Sequence, residues 1–417
     1  MSKLIINGGN RIQGEIRIGG AKNSVLPILA ATVLNGSINV IHDIPKLLDV
    51  RIMEKILVSL GCSVKRENRT VVVDSRQMTN HEIPEELVRE MRSSIVFLGA
   101  MLSRCGRVVA SYPGGCEIGL RPIDLHLKSL REMGAKIEEE HGFLICKAKQ
   151  LKGCDIQLDF PSVGATENII LSAVFAKGIT VIRNAAREPE IIDLGRFLNA
   201  AGAKVSGMGT ATVRIEGVEK LHDVEHSIIP DRIVAGTYLA AAAITKGEIV
   251  LKNAIQEHLQ SILSKFKECG CTIQIYNHGL KLIAPRKIEA VGSVKTLPYP
   301  GYPTDMQAQM MALMSLSNGT TVFTENIFEN RYKHANELMR MGANIKIDGR
   351  TAVVTGVEKL SSATVIAQDL RGGAALVLAG LAAEEGQTII ENTRHIDRGY
   401  EDIHDVLNGL GADIVRQ

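Results

Sequence analysis

The sequence lacks the cysteine patterns and the long apolar runs that identify several classes of protein. Its seven cysteines are odd in number and include no CxxC pair, so neither a disulfide framework nor a zinc site is indicated. No stretch approaches the ~20 apolar residues that a membrane-spanning helix needs, and the apolar run at residues 4–6 is too short for a signal peptide. These absences favour a reducing compartment, and we expect a cytoplasmic protein.

The charge of the chain is nearly balanced. A net charge of +2 gives no reason to expect nucleic acid or an anionic membrane as a partner. The absence of a Walker A pattern and of a dinucleotide fingerprint argues against a nucleotide hydrolase or a Rossmann dehydrogenase. The eleven histidines show no metal-ligand spacing, so we expect no metal, and we interpret His126 and His395 as polar contacts. At 417 residues, two domains are the default expectation.

Two series of glycines recur along the whole chain. In the first series a helix ends in glycine and a strand follows, at intervals of 68 to 73 residues. In the second, an apolar helix, a glycine and a β-branched strand recur at intervals of 67 to 72 residues. The first series comprises Gly61, Gly134, Gly202, Gly270, Gly342 and Gly411, and the second comprises Gly36, Gly106, Gly178, Gly247, Gly319 and Gly386. Two independent series with one period predict six copies of a single α/β unit.

Each copy is predicted to contain helix, strand, helix, strand and strand. Glycine suits the end of a helix because it adopts the left-handed conformation without strain, and the alternation that follows it, as at residues 344–347, indicates a strand. One helix of each copy is amphipathic, as at residues 194–201, and the other is apolar all round, as at residues 237–244. A helix that is apolar all round is buried. We therefore predict a two-domain, inside-out α/β barrel (α+β) of six repeated units, with buried helices inside and sheets outside, the reverse of a TIM barrel.

Polar residues take related places in several copies. Lys22, Arg92, Gly164 and Asp305 each lie fourteen residues before a glycine of the second series, and Arg371 lies fifteen residues before one. These positions open the apolar helices, where free N–H groups and the positive end of the helix dipole attract anions. We expect them to converge on one cleft.

A second set of polar residues follows the same glycines. Arg331 and Arg398 each lie twelve residues after their glycine, and Arg121 lies fifteen after its own. The extra residues of that copy fall in the glycine-rich segment 113–119, which carries Cys116. Arginines suit a substrate with several negative charges because a guanidinium binds carboxylate or phosphate in a fork, and nearby cations lower the pKa of a thiol. One acid, Asp305, and one thiol in this setting predict proton-transfer chemistry.

Each of these residues also has a simpler interpretation. A charged residue at a helix start is commonly a cap or a solvated charge, Arg331 could pair with Glu329 at the surface, and Cys116 could be an ordinary loop residue. Cys269 and Cys271 lie at the turn and strand start of one copy, and we interpret them as structural. The combination of cations, acid and thiol favours a functional interpretation.

At these residues the sequence resembles the UDP-N-acetylglucosamine 1-carboxyvinyltransferases, the branch of the enolpyruvyl transferase family that catalyses the first committed step of peptidoglycan synthesis. The matching segments span the chain and are GGAKNSVLPILAA (19–31), MRSSIVFLGAML (91–102), PGGCEIGLRPIDLHL (113–127), SVGATENI (162–169), AAREPEI (185–191), PDRI (230–233), YPTDMQAQ (302–309), FENRYKHANELMRMGA (328–343), DLRGGAALVLAG (369–380) and HIDRGYEDI (395–403). The cysteine loop with the RPIDLH run distinguishes this branch from the related shikimate-pathway transferases.

The resemblance implies two similar domains with the active site in the cleft between them. One domain would comprise residues 21–229 and carry the Cys116 loop as a lid, and the other would combine residues 1–20 with residues 230–417. The implied substrates are phosphoenolpyruvate and UDP-N-acetylglucosamine. We expect no cofactor, no metal, no nucleic-acid or membrane partner, and a monomer or weak homo-oligomer.

The resemblance also implies roles for individual residues. Cys116 would donate a proton to the methylene carbon of phosphoenolpyruvate, with which it can also form a covalent adduct, and Asp305 would take the proton of the sugar 3′-hydroxyl as that oxygen attacks. The tetrahedral intermediate would then release phosphate, whose charge the cations offset. The implied catalytic residues are Cys116, Asp305, Lys22 and Arg398. The implied binding residues are Lys22, Arg121, Arg398, Arg92, Arg331 and Arg371 for phosphoenolpyruvate; Arg121, Pro122, Ile123, Asp124 and Leu125 for uridine; Ser162, Val163 and Gly164 for the diphosphate; Asn23, Asp305 and Ile327 for the sugar; and, in addition, Asp369.

One departure and two alternatives accompany the resemblance. Some relatives carry a lysine just before the Ser-Val-Gly-Ala segment, where this chain has Phe160, so the diphosphate would depend more on backbone N–H groups. The first alternative is a transferase that acts on shikimate 3-phosphate. The second is a non-catalytic repeat scaffold, which would need no acid and thiol among the cations.

Overall fold

The chain folds into two compact units. The computed structural model describes residues 2–113 and 123–417. The first unit contains residues 20–113 and 123–229, and the second contains residues 2–19 and 230–417. Each unit has its own hydrophobic core. The chain therefore starts in the second unit, builds the whole of the first and returns to complete the second.

Helices and short strands alternate through the described residues. The helices are α1 (Lys22–Ala31), α2 (Leu48–Ser59), α3 (Glu85–Glu90), α4 (Phe97–Cys105), α5 (Asp124–Glu132), α6 (Val163–Ala173), α7 (Pro189–Ala200), α8 (Arg232–Ile244), α9 (Gln260–Glu268), α10 (Gln307–Met314), α11 (Lys333–Arg340), α12 (Leu370–Ala382), α13 (Arg394–Asp397) and α14 (Ile403–Asn408). Short 3₁₀ helices at Arg92–Val96, Gln256–Leu259 and Thr304–Met306 precede α4, α9 and α10. The strands are β1 (Lys3–Asn7), β2 (Gln13–Arg17), β3 (Ile38–His42), β4 (Ser63–Glu67), β5 (Thr70–Asp74), β6 (Arg107–Ser111), β7 (Lys136–Glu140), β8 (Phe143–Lys147), β9 (Asp155–Gln157), β10 (Ile179–Arg183), β11 (Lys204–Ser206), β12 (Thr212–Glu216), β13 (Val224–Ser227), β14 (Glu248–Lys252), β15 (Thr272–Tyr276), β16 (Gly279–Ile283), β17 (Ser293–Lys295), β18 (Thr320–Thr324), β19 (Asn344–Asp348), β20 (Thr351–Thr355), β21 (Thr364–Ile366), β22 (Gln387–Glu391) and β23 (Asp413–Arg416).

Each copy of the repeat forms its own small sheet. The sheets of the first unit run β13-β3-β5-β4, β6-β8-β7 and β11-β12-β10-β9, and those of the second run β15-β16-β14-β2, β17-β18-β20-β19 and β21-β22-β1-β23. Five sheets contain a short parallel strand that the sequence did not predict, such as β17 beside β18. In the part of the chain that the structure describes, the sixth sheet has only an isolated parallel bridge, between Glu82 and Val109, at that place.

The repeat glycines adopt the conformation that the sequence predicts, with one exception. Eleven of the twelve have φ between 58° and 119°, the left-handed region that glycine enters without strain. In the fourth copy Lys246 takes the left-handed conformation instead, with φ 56°. Gly247 is needed there for a different reason, because a Cβ atom at this position would lie 2.0 Å from the carbonyl oxygen of Ile12.

The helices divide into buried and half-exposed sets, as predicted. The inner helices are α1, α4 and α6 in the first unit and α8, α10 and α12 in the second, and within each unit they pack against one another. All eight residues of α10 are buried, whereas the outer helix α11 buries only one face. The fold is thus an inside-out α/β arrangement of six repeated units. In the described residues the sheets remain separate and do not close into one barrel.

None of the helices in residues 2–113 and 123–417 combines the length and the apolar character required to cross a bilayer.

Candidate active site

Aspartates mark the starts of all three inner helices of the second unit, but they are used differently. Asp231 caps α8 by accepting hydrogen bonds from Ile233 N and Val234 N, and Asp369 caps α12 in the same way. Capping uses a carboxylate oxygen to satisfy N–H groups that have no partner within the helix. Asp305 lies in the 3₁₀ turn before α10, whose cap position is Pro303, and its carboxylate binds side chains instead.

The Asp305 carboxylate lies between two buried arginines. Arg331 Nη2 lies 2.9 Å from Asp305 Oδ1, and Arg371 Nη2 lies 3.1 Å from Oδ2. The arginine side chains are 3% and 4% exposed, whereas that of Asp305 is 26% exposed. The two ion pairs therefore fix the orientation of the carboxylate, and its partial exposure leaves it accessible to solvent or substrate.

Arg371 keeps its charge although it is buried. Burial works against the charged form, but Asp305 and then Tyr400 outweigh it, and the pKa of Arg371 lies above its ordinary value. Arg331 also donates to the Thr304 carbonyl oxygen, at 3.3 Å. Sequence reasoning left open a surface pair between Arg331 and Glu329. The structure instead pairs Arg331 with Asp305, and Glu329 lies 3.6 Å from Arg350.

A buried glutamate braces the segment that carries Asp305. Glu325 is 1% exposed and accepts hydrogen bonds from Thr296 Oγ1 at 2.8 Å and Thr304 Oγ1 at 3.0 Å. It also accepts from the backbone N–H groups of Ile327 and Phe328, at 2.9 and 3.1 Å. A single carboxylate thus connects the residue before Asp305 with the predicted sugar-binding residue Ile327, and it holds both segments in place.

In the first unit, Lys22 is held by a buried aspartate. Lys22 opens α1, and its Nζ atom lies 2.7 Å from Oδ2 of Asp49 on α2. The two side chains are 12% and 1% exposed, respectively. A buried carboxylate is costly without a cation, and this ion pair holds the Lys22 amino group beside α2.

Replacing Asp49 with asparagine should destabilise the first unit. The Asp49→Asn variant leaves the Lys22 charge without its buried partner, and loss of one member of such a pair costs roughly 3 kcal/mol. The measurement is urea unfolding monitored by circular dichroism. Asp155→Asn is the matched control, because Asp155 pairs with Arg183 in the same unit but both side chains are 54% exposed. An exposed pair contributes about 0–1 kcal/mol, so equal losses in the two variants would contradict the structural role of Asp49.

Arg92, His126 and the start of α6 form a second group in the first unit. Burial, and after it the charge of Arg92, lowers the pKa of His126 to about 4, so this imidazole is neutral near pH 7. Nδ1 of His126 lies 2.7 Å from Asn168 Nδ2, which is the polar contact predicted for it. A Cβ atom on Gly164 would lie 3.0 Å from His126 Cε1. The ring therefore packs closely against the first turn of α6, and a side chain at position 164 would have to displace it.

The start of α6 retains the features expected of an anion site. Ser162 caps the helix by accepting from Ala165 N at 3.3 Å, and Val163 and Gly164 form its first turn. The N–H groups of a first turn have no partner within the helix, and the dipole favours an anion there. Phe160 is 42% exposed, and its hydrocarbon side chain supplies no charge to this end of the helix.

The remaining predicted residues within the described part of the chain differ in their exposure. Arg92, Asn23, Leu125, Ile327 and Arg398 are half-buried, Asp124 is exposed and Ile123 is buried. Cys116, Arg121 and Pro122 lie outside the described residues. Within the second unit the structure brings Asp305, Arg331 and Arg371 into contact, and within the first it places Arg92 near the start of α6.

Three residues that contact the predicted site were missed by sequence reasoning. They are Asp49, which holds Lys22; Glu325, which braces the Asp305 segment; and Tyr400, whose hydroxyl contacts Arg371. The repeat directed the search to the starts of the apolar helices, whereas Asp49 lies in the first turn of the amphipathic helix α2 and Glu325 and Tyr400 lie outside the helices. Tyr400 lies two residues after Arg398, and that proximity was the one available signal.

Within residues 2–113 and 123–417, no group of three or more His, Cys, Asp or Glu side chains is arranged to hold a metal ion.

Comparisons with known proteins place these residues in a family context. A sequence model of the family described as EPSP synthase (3-phosphoshikimate 1-carboxyvinyltransferase) matches residues 6–407. A curated protein of Caldanaerobacter subterraneus subsp. tengcongensis, UDP-N-acetylglucosamine 1-carboxyvinyltransferase 2, is 55% identical over 100% of both chains. UDP-N-acetylglucosamine 1-carboxyvinyltransferase 1 of Symbiobacterium thermophilum is 52% identical over 99% of this chain and 95% of its own.

Solved structures support the fold. The enolpyruvyl transferase NikO of Streptomyces tendae superposes with a TM-score of 0.91 and 24% identity, over 100% of this chain and 99% of its own. EPSP synthase of Acinetobacter baumannii gives a TM-score of 0.78 and 18% identity over 100% of both chains. These likenesses cover both units and the whole repeat.

Proposed function

The chain belongs to the EPSP synthase family of enolpyruvyl transferases, and on that premise we propose that it transfers the enolpyruvyl group of phosphoenolpyruvate to the 3′-hydroxyl of UDP-N-acetylglucosamine. Phosphate is the second product. The observation that carries the proposal is the identity of 50–55% over essentially the full length with several curated proteins of that name. The reaction belongs to peptidoglycan synthesis, and the soluble nucleotide-sugar substrate fits a cytoplasmic enzyme.

The choice of acceptor rests on this close similarity. The family description itself names 3-phosphoshikimate, and the solved EPSP synthase is 18% identical, which supports the fold alone. The relatives at 50–55% identity are named UDP-N-acetylglucosamine 1-carboxyvinyltransferases. We therefore take shikimate 3-phosphate as the alternative acceptor to be tested.

In the proposed first step, Asp305 accepts the proton of the sugar 3′-hydroxyl while the oxygen bonds to C2 of phosphoenolpyruvate. The two arginines orient the carboxylate, which is partly exposed, and an oriented, accessible carboxylate suits a general base. This arrangement also gives Arg331 and Arg371 a role beyond that of phosphate ligands, because each already engages Asp305.

Cys116 completes the addition by donating a proton to C3, so that the methylene becomes a methyl group. In the elimination, the Cys116 thiolate takes a proton back from C3, the C2–O bond to phosphate breaks with its electron pair leaving on the phosphate, and the enol ether forms. The proton that Asp305 accepted passes to the departing phosphate, so both groups return to their starting states. Lys22, Arg121, Arg398 and Arg92 would offset the charge of the carboxylate and the departing phosphate. Asp369, as the cap of α12, would support the start of the helix that carries Arg371.

The nucleotide sugar would be bound largely through the first unit. We assign the uridine to residues 121–125 and the diphosphate to the start of α6, at Ser162, Val163 and Gly164. Because Phe160 supplies no charge, backbone N–H groups and the helix dipole would carry more of the diphosphate binding. Asn23, Asp305 and Ile327 would contact the sugar.

Phosphate release tests the proposal directly. The protein is incubated with phosphoenolpyruvate and either UDP-N-acetylglucosamine or shikimate 3-phosphate, and inorganic phosphate and the enol ether product are measured. We expect turnover with the nucleotide sugar and none with shikimate 3-phosphate. Turnover with shikimate 3-phosphate alone would reassign the acceptor.

The same experiment, combined with thermal unfolding, distinguishes the proposed enzyme from a binding scaffold without catalytic activity. A specific ligand stabilises the folded state by an amount that grows with the logarithm of its concentration over its Kd. Stabilisation by UDP-N-acetylglucosamine without release of phosphate would support a scaffold. Stabilisation with phosphate release supports the enzyme.

A further inference from the structure

The hydroxyl group of Tyr400 joins the inner helices of the second unit at one point. Tyr400 is 1% exposed, and its oxygen lies 2.9 Å from Thr237 Oγ1 on α8, 3.3 Å from Gln309 Nε2 on α10 and 3.2 Å from Arg371 Nη1 on α12. All three inner helices of this unit therefore meet at a single buried oxygen atom. We refer to Tyr400, Thr237, Gln309 and Arg371 as the Tyr400 network.

The direction of the hydrogen bonds in this network is fixed by its carbonyl partners. Thr237 Oγ1 lies 2.9 Å from the carbonyl oxygen of Ile233, so the threonine hydroxyl must donate there. A hydroxyl has one proton. Thr237 therefore accepts from Tyr400, and the Tyr400 oxygen uses its lone pairs to accept from Arg371 and Gln309. Gln309 Nε2 also lies 3.1 Å from Thr237 Oγ1, so the two protons of this amide are shared among its acceptors within the network and the Asp305 backbone.

The network leads directly to the proposed catalytic base. Arg371 donates to Tyr400 through Nη1 and to Asp305 Oδ2 through Nη2. Gln309 Nε2 also lies 2.9 Å from the backbone carbonyl oxygen of Asp305. Tyr400 is thus connected to Asp305 by two routes, one through the side chain of Arg371 and one through the backbone.

We propose that Tyr400 is a positioning residue for the reaction, one that fixes Arg371 and the Asp305 segment so that the carboxylate faces the acceptor hydroxyl. This inference rests on the proposed role of Asp305 as the base. Without the hydroxyl, the Arg371 guanidinium keeps only one of its two anchors and can rotate within its buried site. The precision with which Asp305 is held would fall, and near-attack geometry is sensitive to displacements of an ångström or less.

A purely packing role for Tyr400 predicts a different result. The ring is one of the largest fully buried side chains, and Arg371 lies 5.5 Å from its centroid. Phenylalanine retains the ring, its volume and that contact. Only the hydroxyl distinguishes the two interpretations, which makes Tyr400→Phe the decisive substitution.

The experiment compares Tyr400→Phe with a matched substitution in the same unit. Tyr332 is also buried, and its hydroxyl donates to the Arg350 carbonyl oxygen at 3.1 Å, outside the network. For Tyr400→Phe we expect kcat to fall about tenfold, the effect of losing a hydrogen bond to a charged group, while KM for both substrates changes less than about threefold. For Tyr332→Phe we expect a similar change in the midpoint of thermal unfolding and an unchanged kcat.

A second variant covers the case in which Tyr400→Phe is too unstable to assay. Gln309→Leu removes the donor that links Tyr400 to the backbone of Asp305, and it should lower kcat with little change in KM. An unchanged kcat in either variant would overturn the proposal, as would equal losses of kcat in Tyr400→Phe and Tyr332→Phe. If the wild-type protein turns over shikimate 3-phosphate instead, the proposed function fails, and the comparison of variants is made with that acceptor.

Discussion

The Asp305→Asn variant is expected to lose about a thousandfold in kcat, within the range that general acid–base catalysis contributes. The amide nearly matches the carboxylate in shape but cannot take the proton of the 3′-hydroxyl. It also presents an NH₂ group to one of the two arginines that now bind carboxylate oxygens. The measurement is phosphate release at saturating concentrations of both substrates.

Loss of folding must be separated from loss of the base. Without the carboxylate, Arg331 and Arg371 lose the anion that balances their buried charges, so some destabilisation is expected. Circular dichroism and calorimetric binding of UDP-N-acetylglucosamine show whether the site survives. Glu54→Gln provides the control, because it removes a partly buried carboxylate that binds Arg66 elsewhere.

The kinetic pattern identifies the role. If Asp305 is the base, Asp305→Asn lowers kcat while the nucleotide sugar still binds, and Glu54→Gln keeps wild-type kcat. Retention of more than about a tenth of wild-type kcat by Asp305→Asn would exclude the general-base role, because that role accounts for at least about a hundredfold.

The architecture was predictable because the repeat glycines carry a physical requirement. A position at the end of a helix that must adopt the left-handed conformation is usually occupied by glycine, so it can be recognised in the sequence. Eleven of the twelve repeat glycines have that conformation. The short parallel strands have no comparable sequence signal. β17 contains three residues, Ser293–Lys295, and three residues are too few for an alternating pattern to stand out.

The candidate-site residues could be predicted from the sequence where they occupy related positions in the repeat. They could not be predicted where their role depends on a partner that is distant in the sequence. Their equivalent positions at the predicted starts of apolar helices identified Lys22, Arg92, Asp305 and Arg371 as candidates. The choice of partner for Arg331 could not be made from the sequence, because Glu329 is two residues away and Asp305 is twenty-six. Only the fold buries Arg331 against Asp305, and the same holds for contacts of Tyr400.

Substitution of Cys116 should have the other large effect. Cys116→Ala and Cys116→Ser should largely abolish turnover, because neither alanine nor the weakly acidic serine hydroxyl can protonate C3. Cys116→Asp should retain measurable activity, since a carboxyl group can also donate a proton. Cys105→Ala is the control, because Cys105 is an exposed thiol in the first unit with no proposed role, and it should keep wild-type kcat.

The pH dependence of Cys116→Asp distinguishes proton donation from a purely covalent role of the thiol. A model carboxyl has a pKa of about 4 and a model thiol about 8.5, so the acid form of the variant becomes populated only as the pH falls. The activity of Cys116→Asp should therefore rise toward lower pH relative to wild type. A covalent adduct that is obligatory for turnover predicts instead that every variant without sulfur is inactive at all pH values. Mass spectrometry of the wild-type protein with phosphoenolpyruvate, with and without the nucleotide sugar, then shows whether the adduct forms and whether it is consumed when the acceptor is added.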